Sequence, residues 1–129
     1  MSFDMKKLIN PLLITISLIT IASGIAQIIA PAFVLSKISL TNSTLDGQLF
    51  ATIGMFMAIF GTLLLHALYS PFPNRAAVLW CAVQKFGACV AVIYGVHREL
   101  FNFLALAVAI FDFFSGILIA YHYLSSKRA

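Results

Sequence analysis

Four apolar stretches, at about 8–30, 49–69, 76–96 and 103–124, occupy most of this 129-residue chain. A membrane hydrocarbon core about 30 Å thick asks for about 20 apolar residues in a helix, and inside it each backbone N–H and C=O must be paired within the segment. These runs therefore restrict the chain to an all-α architecture: a polytopic membrane protein, one membrane domain over 1–129, built as an antiparallel bundle of four transmembrane helices. Composition agrees, because 62% of the residues are hydrophobic and only 9% are charged, against about 25% charged in a soluble domain.

The linkers are short. "SPFPNR" (70–75) and "HRELFN" (97–102) suit only tight reversals between neighbouring helices. The stretch from Pro31 to Gln48 reads as a polar loop. The first run also has features of a secretory leader, with Lys6 and Lys7 before it and Ala30-Pro31-Ala32 as a small-x-small site. Its apolar core exceeds the roughly 7–15 residues of a leader, so a helix is the preferred reading.

The net charge of +4 is a topology signal and not a nucleic-acid footprint. With the N-terminus in the cytoplasm, Lys6, Lys7, Arg75, Lys127 and Arg128 lie inside, against Lys37 and Arg98 outside. Basic residues concentrate on the cytoplasmic side of membrane proteins, so both termini of this multi-pass protein are expected there. Tyr69, Tyr121 and Tyr123, with Trp80 a little deeper, then form an aromatic belt at the inner interface.

In lipid the hydrophobic effect does not drive helices together; small side chains that allow close approach do much of that work. The second run carries Ala51, Gly54, Ala58 and Gly61. The third carries Ala77, Cys81, Gln84, Ala88, Ala91 and Gly95, and the fourth Ala105, Ala109, Asp112, Gly116 and Ala120. The first has a more polar stripe of Ser17, Thr20, Gly24 and Gln27. Steps of three and four residues are those of a left-handed bundle seam.

Lys85 and Asp112 break the apolar pattern near the middle of the third and fourth runs. They stand at nearly equal sequence distance on either side of Arg98–Glu99, so an antiparallel hairpin brings them to one depth. An unpaired charge there costs at least about 2.5–3.5 kcal/mol, and opposite charges at one depth offset much of this. The pair either pins helix register or marks a proton or substrate path. Gln84, Ser115 and Gln27 are the supporting polar residues.

Other sites carry weaker signals. His66 and His122 lie at similar depth near the inner ends of their helices and could meet across a haem or metal, although histidines there more often serve as interfacial anchors. His97 reads as solvated. Asn42-Ser43-Thr44 is a glycosylation sequon, and Gln27 and Gln48 could close the outer mouth of the bundle by hydrogen bonding. Cys81 and Cys89 are eight residues apart in one helix, about 12 Å by helical rise and too far for a disulfide. No cofactor motif, catalytic triad or zinc spacing is present, and no nucleic-acid partner is expected.

The sequence lacks the first-helix glutamate of small multidrug transporters, the Thr-Thr-Phe-Ser-Thr string of fluoride channels and the paired cysteines of quinone-linked disulfide enzymes. "GMFMAIFG" (54–61), Lys85 in the third helix and Asp112 in the fourth resemble the DoxX-like group of small bacterial four-helix membrane proteins, over residues 49–124. The resemblance implies an inner-membrane protein, sometimes an accessory subunit of a quinone-linked oxidoreductase; an arginine would be usual where this chain has Lys85. The expected function is that of a non-catalytic accessory subunit or a bundle that binds a lipophilic ligand, in contact with membrane lipid and with a protein partner or further copies of itself. The alternative is a small proton-coupled transporter acting as an oligomer.

Overall fold

In the computed structural model, described over residues 5–40, 43–72 and 74–126, the chain is all-helical. Five helices follow one another: α1 (Met5–Ile29), α2 (Pro31–Ile38), α3 (Thr44–Tyr69), α4 (Arg75–His97) and α5 (Leu104–Ser125). All but α2 are long and apolar enough to cross a membrane. Asn42 of the sequon and the basic pair Lys127 and Arg128 lie outside the described residues.

The stretch expected as a polar loop holds more structure than that. Pro31 opens α2 at its first turn, where a missing N–H costs nothing. The third helix starts at Thr44, earlier than its apolar run, because Ser43 and Asp46 form a reciprocal cap. The Asp46 N–H donates to Ser43 Oγ at 3.1 Å and the Ser43 N–H donates to Asp46 Oδ2 at 2.9 Å. Two orphan donors of the helix start are thereby satisfied.

The helices pair intimately as α1 with α3 and α4 with α5. On the first pair, Gly24, Gly54 and Gly61 allow backbone to approach backbone. A methyl group on Gly24 would lie 2.5 Å from the Gly54 carbonyl oxygen, and one on Gly54 would lie 2.7 Å from that of Gly24. One on Gly61 would meet Ile21 Cγ1 at 2.8 Å. On the second pair the glycines receive aromatic rings: Gly116 lies under Phe86, and Gly95 under Phe101.

The two pairs join at the end that carries the termini through a cluster to which all four spanning helices contribute. It comprises Ile9, Leu13, Ile16, Leu64, Val78, Cys81, Ala82 and Ile119, with Leu13 and Ile119 fully buried. At the opposite end, a short backbone clasp ties the connection after α2 to the α4–α5 turn. The Leu40 N–H donates to the Leu100 carbonyl at 3.0 Å, the Asn102 N–H to that of Ile38 at 2.8 Å, and Asn102 Nδ2 to that of Lys37 at 2.8 Å. In the turn itself Glu99 takes a left-handed conformation (φ 60°).

The inward face of α4 differs from the stripe of small residues. Val78, Cys81, Ala82, Lys85, Cys89 and Gly95 are buried, whereas Gln84 is half-buried and Ala91 exposed. The helix is turned so that Lys85 lies inside the bundle, because leaving a cationic head in hydrocarbon costs more than a few small-residue contacts return.

Candidate functional site

The centre of the bundle is a polar cluster built from three helices. Lys85 comes from α4, Asp112 from α5 and Thr20 from α1. Lys85 Nζ donates to Thr20 Oγ1 at 2.7 Å and lies 3.4 Å from Asp112 Oδ1. The Phe111 ring lies beside the same ammonium, 5.2 Å away at its centroid. Side-chain exposure is 4% for Lys85 and 8% for Asp112, so the pair is sealed from its surroundings.

Thr20 has a defined part in this geometry. Its hydroxyl donates to the Ile16 carbonyl one turn earlier at 2.8 Å. With its only proton spent there, Oγ1 turns its acceptor side to Lys85. The ammonium is thus met by one neutral and one acidic oxygen, and by an aromatic ring on a further side. Removal of either charge would leave the other buried without its partner.

The supporting residues are distributed unevenly. Ser115 is buried on the same face of α5 as Asp112. Gln84 is half-buried on α4, and neither of the hydrogen bonds made by Lys85 involves it. Gln27 is buried, but far along α1, where its Nε2 donates to Met57 Sδ at 3.1 Å and its Oε1 has no partner among the described residues. Gln48 is exposed, so the expected Gln27–Gln48 closure of the mouth is replaced by the Gln27–Met57 contact. Gly54, Gly61, Gly95 and Gly116 are buried, while Ala58 and Ala88 are half-buried. His66 is exposed, and among the described residues no three His, Cys, Asp or Glu side chains converge on a metal position.

Thr20 is the residue that sequence reasoning placed on a packing stripe without assigning it to the charged pair. Its signal was present: it is a hydroxyl on the buried stripe of the first helix, near mid-depth. What could not be counted was the register of α1 against α4, since α2 and α3 lie between them.

Two apolar hollows mark the outer surface. One lies between α4 and α5, measures about 240 Å³ and is lined by Cys89, Ile93, Leu106, Ala109, Ile110, Phe113 and Phe114. The other is a shallow groove along α4, from Val83 to Tyr94, with Gly87 in it. Neither is lined by Lys85, Asp112 or Thr20. Comparison of the chain with protein-family models, with curated proteins and with solved structures finds no match. What the fold and the site define is a small multi-pass integral membrane protein.

Proposed function

We propose that this protein is a non-catalytic inner-membrane subunit that binds a lipophilic chain, with Lys85, Asp112 and Thr20 as the lock that holds its helices in register. The observation that carries the reading is the separation of the polar centre from the surface hollows. A carrier needs a path to its ionisable groups, whereas here the ammonium and carboxylate are enclosed and the hollows are apolar. A pocket for a whole drug-sized ligand measures about 300–1,000 Å³. The α4–α5 hollow, at about 240 Å³, fits part of an acyl or isoprenoid chain better than a complete solute. Membership of the DoxX-like group and cytoplasmic termini belong to the same proposal.

The test is extraction of the full chain in a mild detergent, followed by mass spectrometry of what remains bound. A stoichiometric lipid, quinone or protein, lost on Ala109→Phe in the hollow but kept on Asp112→Asn, supports the reading. Substrate-dependent proton flux in vesicles, abolished by Asp112→Asn in a variant that still folds, would replace it with the transporter.

A further inference from the structure

The outward face of α4 packs against nothing within the chain. The helix lies against α5 and more lightly against α3, and on its remaining side Trp80, Val83, Gly87, Val90 and Tyr94 are exposed. The steps between them alternate between three and four residues, the period at which one helix keeps a single seam against another. Of the seven glycines in the chain, Gly87 is the exposed one. A methyl group on it would meet nothing within 4 Å, whereas one on Gly24, Gly54, Gly61, Gly95 or Gly116 would run into neighbouring backbone or side chain. Glycine weakens a helix interior relative to alanine, and a surface that meets only lipid chains gains nothing from it. Gly87 and Ala91 lie in the groove along α4, between the larger Val83, Phe86, Val90 and Tyr94.

At the end away from the termini this face carries two opposite charges. Arg98 follows the last residue of α4, and its guanidinium lies over the Tyr94 ring, 5.7 Å from the centroid. Glu99 comes next and is exposed. Among the described residues neither is paired with an opposite charge. The other charges at this end are engaged elsewhere, Asp46 in the cap of α3 and Lys37 over the Phe33 ring.

We propose that a second copy of this chain docks on this face, α4 against α4 in the same orientation, with Gly87 at the crossing point. Copies inserted the same way in a membrane are related by a two-fold axis along its normal, so one patch has to complement itself. Gly87 stands beside the middle of α4, so the two helices meet at mid-depth and keep contact toward both ends. Small residues at the meeting point admit the close approach on which helix pairing in lipid depends. The same axis exchanges sequence neighbours of opposite sign, so that Arg98 of each copy faces Glu99 of the other. This charge complementarity selects a second copy over a lipid chain, which would leave both charges without a partner.

The experiment is energy transfer between copies of the full chain, labelled at the N-terminus and diluted with lipid in phosphatidylcholine vesicles. The wild type associates as a dimer. Gly87→Leu raises its dissociation constant about tenfold or more, while Ile53→Ala, on the exposed face of α3, leaves it unchanged. Arg98→Glu and Glu99→Arg each weaken association about fivefold, the scale of an exposed ion pair. Mixed with each other, these two variants pair at wild-type strength, because each supplies the charges that the other lacks. Both lie beyond the span of α4 and serve if Gly87→Leu does not fold. A wild type that is monomeric at every dilution assigns the face to lipid and overturns the dimer. An unchanged constant in Gly87→Leu, or an equal loss in Ile53→Ala, overturns α4 as the interface. A mixture no stronger than its components overturns the two-fold pairing, and with it the choice of a second copy.

Discussion

At the residue scale, Lys85 is held by a division of labour among its neighbours. The contact with Asp112 at 3.4 Å is longer than the roughly 2.7–2.9 Å of a tight charge-assisted bond, whereas the bond to Thr20 at 2.7 Å is short. Neutralisation of a buried pair from one side costs about 3–5 kcal/mol, while replacement of both members by apolar residues of similar size often costs little. Lys85→Met and Asp112→Leu should each lower stability by about that amount, and the double variant by far less than their sum. Thr20→Val should cost about 1 kcal/mol, the scale of one interhelical hydrogen bond in a membrane. Unfolding of each variant in detergent measures all of these. Strict additivity would mean that Lys85 and Asp112 do not act together.

At the element scale, the four spans were legible because hydrocarbon thickness imposes a length on them, and hairpin counting brought Lys85 and Asp112 to one depth because their connection is too short to allow slippage. Hydropathy was blind to α2 and to the early start of α3, both of which lie where polar residues are tolerated. Their signals, Pro31 and the Ser43–Asp46 cap, are local and stereochemical. The rotation of α4 was misread for a different reason. Small residues occur on two of its faces, and the position of a single charge, not their count, decides which face turns inward. Gly87 illustrates this, since a methyl group there would touch nothing within 4 Å. Gly87→Ala should therefore leave the fold intact and raise stability by up to about 1 kcal/mol, the helix-propensity gain. Gly54→Ala should destabilise the α1–α3 pair, because its new carbon would fall 2.6 Å from Gln27 Cβ and 2.7 Å from the Gly24 carbonyl. Thermal denaturation of the two variants side by side distinguishes a packing glycine from a lipid-facing one; equal effects would argue against this crossing.

At the scale of the whole molecule, two helix pairs are joined at three levels: the apolar cluster at the termini end, the Lys85–Thr20 bond at the centre and the backbone clasp at the far end. Basic residues are distributed unequally along this axis. By sequence, Lys6, Lys7, Arg75, Lys127 and Arg128 flank the spans on the side of the termini, against Lys37 and Arg98 on the other. Because the positive-inside bias counts basic residues near the span ends, the first end should face the cytoplasm. Single cysteines at exposed positions measure this directly. Ser36 on α2 and Asn74 before α4 are both exposed at opposite ends, while the native Cys81 and Cys89 are buried. In intact bacterial cells expressing the full chain, a membrane-impermeant maleimide should label Ser36→Cys at once and Asn74→Cys only after lysis. The reverse pattern would place the termini outside and set Arg75 against the outer leaflet. Labelling of both variants in intact cells would mean that the chain inserts in two orientations, as expected only if the charge difference is too small to decide.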